Sequence, residues 1–212
     1  MHIDFLLKVY SYDWLLERVH YWMGYIHQHG IEQGAVTVLE ADFSPDSVAL
    51  FLALVDQGAI VVPLTEGVGA NKREFETIAG AEVRFRLGRE GRVNMEGLHQ
   101  QAGYPLYREL RRAGHPGLVL FSSGSTGKSK AALHDLTRIL EKFKLSKRSF
   151  RTIAFLLFDH IGGVNTMLHT LSNASCLVVA VERTPDEILA TVERHRVELL
   201  PTSPTFIKLI LL

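Results

Sequence analysis

Hydrophobic positions recur along the chain with two periods, and the elements follow from them. From Asp13 to His29, Leu15, Val19, Trp22, Met23 and Ile26 fall on one helical face, and Gly30 supplies a stop. Val36 to Leu39 reads as a strand. Ser44-Pro45 then reads as an N-cap and first helical residue, ahead of a buried stripe of Val48, Phe51, Leu52 and Val55. Gly58 closes that helix and Ala59 to Val62 forms the next strand. A helix carrying Phe75, Ile78 and Ala79 leads through Gly80 into a short strand ending at Phe85. Gly88 to Gly91 reads as a hairpin turn, followed by a polar link whose His99, Tyr104, Tyr107 and His115 are assigned to the surface.

The second half repeats the rhythm. Leu118 to Phe121 is a strand, and Leu133, Leu136, Ile139, Leu140 and Phe143 mark a helix. The basic connector LSKRSFR reads as a solvated turn. Ile153 to Phe158 is a strand, and Val164, Met167, Leu168 and Leu171 form a helix. Cys176 to Val181 is a strand, Thr184-Pro185 opens a helix, and Val197 to Leu200 is another strand. Ser203-Pro204 opens an apolar helix that runs to Leu212. Strands alternating with helices predict an α/β fold, a mostly parallel β-sheet layered with helices and joined by right-handed crossovers.

Composition narrows the function. Lys+Arg and Asp+Glu are equal at 23 each, which gives no electrostatic footprint for nucleic acid or an anionic membrane surface. The single cysteine, Cys176, excludes an internal disulfide framework, and its place in CLVVAV predicts a buried thiol. The amino terminus MHIDFLLKVY lacks the pattern of a signal peptide, and no apolar run is long enough to span a bilayer. A cytoplasmic protein is expected. The histidines show no shared ligand spacing, so no metal site is assigned to side chains.

The candidate chemistry concentrates between Gly117 and Ala131, GLVLFSSGSTGKSKA. The strand stops at Ser122-Ser123-Gly124-Ser125-Thr126-Gly127-Lys128-Ser129-Lys130. Glycines let a backbone turn tightly and approach a ligand, and successive N–H groups form an anion-binding concavity. A following helix start would add the positive end of its dipole. Hydroxyls and ammonium groups supply further donors, so this loop is suited to phosphates. Asp159-His160, at the expected mouth of a strand and before Gly162-Gly163, is the second place for chemistry, because α/β proteins bind ligands at strand ends.

Two templates compete for the loop. Walker A, G-x-x-x-x-G-K-[ST], fits Gly127-Lys128-Ser129, but its first glycine falls on Ser122. The loop instead resembles, at every position but one, the phosphate-loop pattern [ST]-[SG]-G-[ST]-[ST]-G-x-P-K of the acyl-adenylate-forming ligases. This superfamily comprises the AMP-binding enzymes: acyl-CoA synthetases, luciferases and the adenylation domains of peptide synthetases. Ser129 stands where proline is usual. Tyr12, Gly30-Ile31, Gln33-Gly34 and Gln57-Gly58-Ala59-Ile60-Val61-Val62-Pro63-Leu64 follow the family's scaffold pattern in order and spacing.

The resemblance implies that residues 1–212 are the amino-terminal portion of an AMP-binding domain. On this resemblance the carboxy-terminal part of the domain and the small lid domain are expected to be absent from these residues, which would make up an incomplete domain. It implies ATP, Mg²⁺ and a small-molecule carboxylic acid, with coenzyme A or a carrier protein's phosphopantetheine as acceptor. Ser122, Ser123, Gly124, Ser125, Thr126, Gly127 and Lys128 would bind the phosphates, and Lys130 corresponds to the family's signature lysine. In acyl-CoA synthetases a motif L-F-H-x-x-G would give His160 a place beside the carboxylate and α-phosphate. In amino-acid adenylation domains F-D-x-S would give Asp159 the substrate's amino group. Asp159, His160 and Gly162 are accordingly the expected acid-binding residues, with Lys130 and His160 as the catalytic pair. The adenine and ribose motifs, G-Y-G-x-T-E and T-G-D, do not occur, so the chain alone is expected to be inactive. Two other readings stay open: a P-loop NTPase centred on Lys128, and a non-catalytic adenylation-like scaffold.

Overall fold

A computed structural model describes residues 2–5, 8–88, 92–98, 100, 103–123 and 129–211, with the side chains of 2–5 and 123 outside the description. Two strands, β1 (His2–Phe5) and β2 (Lys8–Ser11), precede helix α1 (Tyr12–Gln28). Then follow β3 (Val36–Glu40), α2 (Pro45–Asp56), β4 (Ile60–Leu64), a 3₁₀ turn (Glu66–Asn71), α3 (Lys72–Ala79), β5 (Val83–Leu87) and β6 (Val93–Gly97). Next come α4 (Pro105–Ala113), β7 (Gly117–Ser123), β8 (Ser129–Asp135) and α5 (Leu136–Glu141). The remainder is β9 (Thr152–Ile153), α6 (Ile161–Ser172), β10 (Leu177–Val179), α7 (Pro185–His195) and α8 (Pro204–Ile210).

The larger sheet has the order β6-β5-β3-β4-β7-β8. Its four inner strands are parallel, and β6 and β8 pair antiparallel at the two edges. Every residue of β3 and β4 is buried, as expected for parallel strands covered on both faces. Leu39, Val61, Phe85 and Leu118 pack with α1 and α2, while Val36, Val38, Ile60, Val62 and Val119 pack with Ala79 and Tyr107 of α3 and α4. The smaller sheet, β2-β1-β10-β9, shares the first of these cores through Leu177 and Val179 and packs Ile153 against Ile188 and Phe206 on its other side. Helices therefore alternate with sheets, as the sequence predicts for an α/β fold.

Local chemistry sets the element ends. Ser44 caps α2: its Oγ accepts from the Ser47 N–H at 3.1 Å, and Ser47 Oγ accepts from the Ser44 N–H at 2.8 Å. Gly58 turns α2 into β4 at φ +80°, where an added Cβ would lie 2.9 Å from Gln33 Cγ. Tyr12 Oη donates to Ser175 O at 2.8 Å, tying the start of α1 to the approach to β10. Burial first, and the Cys176 thiol second, push the Tyr12 phenol up to about 12. Cys176 itself is buried, as expected.

Five expectations are corrected. No helix follows the phosphate loop directly; β8 does, folding back on β7, and Leu133 lies on that strand. Ile153 to Phe158 is strand only at Ile153, with Thr152 before it; the Ala154 N–H still donates to Val178 O at 2.8 Å, and beyond it the chain turns irregular toward α6, with Phe158 buried and residues 155–157 half-buried. Val197 to Leu200 contributes a single bridge, Leu199 to Thr152. The polar link holds α4, and Tyr107 is buried there, donating to Ala79 O at 3.1 Å. His115 is half-buried, with Nδ1 2.9 Å from Asp135 Oδ2, rather than a free surface group. The hairpin between β5 and β6 forms as expected, although residues 89–91 of its turn, and His99, lie outside the described residues.

Candidate functional site

The β7–β8 hairpin carries the phosphate-loop sequence on its two arms. Ser122 pairs with Lys130, and Ser123 with Ser129. Gly124, Ser125, Thr126, Gly127 and Lys128 lie outside the described residues. Side chains alternate between the faces of a strand, so Lys130 shares a face with Ser122, Ala132 and His134. Both Ser122 and Lys130 are exposed.

A cleft of about 690 Å³ opens beside this hairpin. Ser122, Ser129 and His134 line one wall. Pro63 and Leu64, at the end of β4, lie in its floor with Phe75 and Phe121, whose rings stack at 4.0 Å. Asp159, His160 and Ile161 complete it. The two stretches that the sequence singles out, some thirty residues apart, therefore face one space, at the carboxyl ends of parallel strands.

The second stretch is built by the start of α6. His160 is the N-cap residue of that helix, with extended backbone and no side-chain cap bond. Its side chain is 60% exposed. Asp159 is buried, and its Oδ2 accepts from both the Thr65 N–H at 3.1 Å and the Thr65 hydroxyl at 2.6 Å. Gly162 and Gly163 lie inside the first turn of α6 rather than in a separate turn. A Cβ on Gly162 would meet Leu156 Cδ1 at 2.8 Å, and one on Gly163 would meet Leu157 O at 2.0 Å. Gly162 is not among the residues lining the cleft.

Thr65 is a member of this group that sequence reasoning missed; its only signal is its position directly after Val62-Pro63-Leu64. His134 and Phe75 also line the cleft, and no motif in the sequence marks either of them. Thr65 lines a second cavity, about 430 Å³, which shares Gly67 with the first. Four of its charged groups are held in ion pairs. Glu40 meets Lys72 at 2.7 Å and Arg86 at 3.1 Å, and Arg183 grips both oxygens of Asp42 at 2.6 and 2.8 Å. Burial pushes the Glu40 carboxyl up, but hydrogen bonds and charge from Lys72 and Arg86 outweigh it and hold the group below its ordinary range. Among the described residues, no three carboxylate, imidazole or thiol side chains gather to hold a metal ion, and no helix is long and apolar enough to cross a membrane.

Solved structures share this arrangement of sheets and helices. The crystal structure of CmiS6 superposes with a TM-score of 0.75 at 16% identity, covering 99% of this chain and 56% of that one. The N-terminal subdomain of Klebsiella oxytoca NpsA in complex with 3-hydroxybenzoyl-AMSN gives 0.75 at 20% identity, covering 98% of this chain and 57% of that chain. Klebsiella oxytoca NpsA in complex with 3-hydroxyanthranilyl-AMSN gives 0.77 at 17% identity, over 98% and 45%. At these identities the likeness is one of fold, and the chain spans about half the length of the structures it matches. No curated protein matches the sequence. The sequence model of the AMP-binding enzyme family matches residues 76–212, a stretch that holds the β7–β8 hairpin, Asp159 and His160. The chain belongs to the AMP-binding enzyme family.

Proposed function

We propose that the protein carrying this chain activates a carboxylic acid with ATP in the cytoplasm. A carboxylate oxygen attacks the α-phosphorus and pyrophosphate leaves. A thiol, of coenzyme A or of a carrier protein's phosphopantetheine, then attacks the acyl carbon of the adenylate and AMP leaves. One observation carries this reading: the phosphate-loop hairpin and the Asp159–His160 corner line a single cleft. Such a reaction asks of the protein positioning and charge neutralisation.

In this reading Ser122, Ser123, Gly124, Ser125, Thr126, Gly127 and Lys128 hold the β- and γ-phosphates together with Mg²⁺. Lys130, on the cleft-facing side of β8, adds positive charge. His160 is exposed at the cleft wall and meets the acid or an α-phosphate oxygen, with Asp159 buried behind it. Gly162 lets α6 start close against Leu156. The chain lacks the adenine and ribose motifs, so alone it binds phosphate or pyrophosphate weakly and does not turn over.

Activation of an amino-bearing acid for a carrier protein is the second reading. It draws on Asp159 and on NpsA, which has been solved with anthranilyl-AMSN and as an artificial fusion of adenylation and PCP domains. ATP–pyrophosphate exchange by the full-length gene product, across fatty, aryl and amino acids, tests both. Exchange that depends on an acid and is lost in Lys130→Ala supports the proposal. ATP hydrolysis without any acid, abolished by Lys128→Ala, would replace it with a P-loop NTPase.

A further inference from the structure

Thr65 belongs to neither motif, yet it is the residue that fixes Asp159. Both side chains are buried, at 3% and 7% exposure. Two donors from Thr65 converge on one oxygen, Oδ2, so the carboxylate has little rotational freedom and its other oxygen has a set direction. That oxygen, Oδ1, is closed to solvent and accepts no hydrogen bond. His160 Nδ1 lies 3.4 Å from it. A buried acceptor is costly without a donor, and contacts of this kind are often long before a ligand binds. His160 does not spend its ring on capping α6, so the imidazole is available to supply that donor.

We propose that Thr65 is a positioning residue that acts on His160 through Asp159. Thr65 turns Oδ1 toward the imidazole, Asp159 holds the ring as the Nδ1–H tautomer, and Nε2 is left to face the cleft. A carboxylate behind a histidine fixes tautomer and orientation in this way wherever the second nitrogen does the work. When Nε2 carries a proton it can donate to an acid or phosphate oxygen, and that last step alone rests on the adenylation reading.

The test is ¹⁵N NMR of histidine-labelled full chain, with the His160 signals assigned by their loss in His160→Gln. In the wild type the neutral His160 ring is expected to be mainly Nδ1–H. Asp159→Asn should reverse this, because Thr65's two donors claim the amide oxygen and turn the NH₂ toward Nδ1. Thr65→Val, nearly isosteric, should lower the Nδ1–H to Nε2–H ratio about three- to ten-fold, the loss of one hydrogen bond. Thr65→Ser should restore it. Circular dichroism checks that each variant is folded. A wild-type ring in the Nε2–H form, or a ratio unmoved by Thr65→Val and Asp159→Asn, overturns the proposal. A raised KM for the acid in either variant of the full-length enzyme, with the tautomer unmoved, also overturns it, since Asp159 would then meet the substrate itself. The expected tautomer in a protein that shows no acid-dependent exchange would remove the adenylation reading and leave the positioning role intact.

Discussion

Replacing Gly163 by alanine sets two known effects against each other. An alanine in the first turn of α6 gains about 1 kcal/mol of helix propensity over glycine. Its Cβ, however, would lie 2.0 Å from Leu157 O, 2.7 Å from Leu157 C and 2.8 Å from Leu156 O, all backbone atoms that no side-chain rotation can clear. Relief requires the 156–157 segment or the helix start to move by more than an ångström, against a packed core. Overpacking typically costs about 1–3 kcal/mol, and a clash with backbone on this scale belongs at or above the top of that range, about 3–5 kcal/mol, so after the propensity gain a net loss of about 2–4 kcal/mol is expected. For a chain of this size that is a fall in melting temperature of about 5–12 °C. Two alanines calibrate it. At Gly162 the obstacle is Leu156 Cδ1, the far end of a flexible side chain, so stability should stay within about 1 kcal/mol of wild type. At Gly24, inside α1, nothing lies within 4 Å, and alanine should stabilise by about 0.5–1 kcal/mol. Urea denaturation of the three variants, followed by circular dichroism, measures the order. Gly163→Ala as stable as Gly162→Ala would refute the reasoning and mean that α6 does not start as described.

Ser44→Ala removes the acceptor for the Ser47 N–H and half of the reciprocal cap on α2, and should cost about 1–2 kcal/mol by the same denaturation; no loss would mean the cap is satisfied otherwise. The phenols of Tyr12 and Tyr107 are each pushed up to about 12, burial being the main cause in both. A raised phenol favours the folded state in full below about pH 10, and that contribution fades as pH climbs toward 12. Spectrophotometric titration of the native protein should therefore show late-ionising phenols, one fewer in each of Tyr12→Phe and Tyr107→Phe, and a late step that neither variant reduces would contradict the burial.

Helices with strong caps were legible from residues alone. Ser44-Pro45 and Gly58 bracket α2, and Thr184-Pro185 opens α7, because their signals are local. Helix α4 was not read, since its exposed face is crowded with arginines and only Tyr107 and Leu110 bury; Pro105 and Gly114 were the available marks. The spacing of Leu133, Leu136, Ile139 and Leu140 imitates a helix that begins too early, and only the pairing with β7 makes the first of them a strand residue. The apolar run after Ile153 packs Ala154 and Phe158 into the interior without being a strand, so hydrophobicity could not decide its form. Lys130, Ser122 and His160 are singled out by their motifs. Thr65 is not, because its partner lies 94 residues away and nothing in the local sequence announces it.

The first strand of the chain lies inside the smaller sheet, flanked by β2 on one side and β10 on the other. Its parallel partner runs Leu177 to Val179, far along the sequence, whereas the larger sheet is made wholly from residues between Val36 and Asp135. On a ribosome the larger sheet can close while the first hairpin still waits, one edge unpaired, for a strand not yet made. Long-range parallel pairing is slow to form, and unpaired edges invite association. Folding should thus proceed as an early central sheet and a late seam between β1 and β10, and that seam, rather than the phosphate hairpin, is where a chaperone would have most to protect.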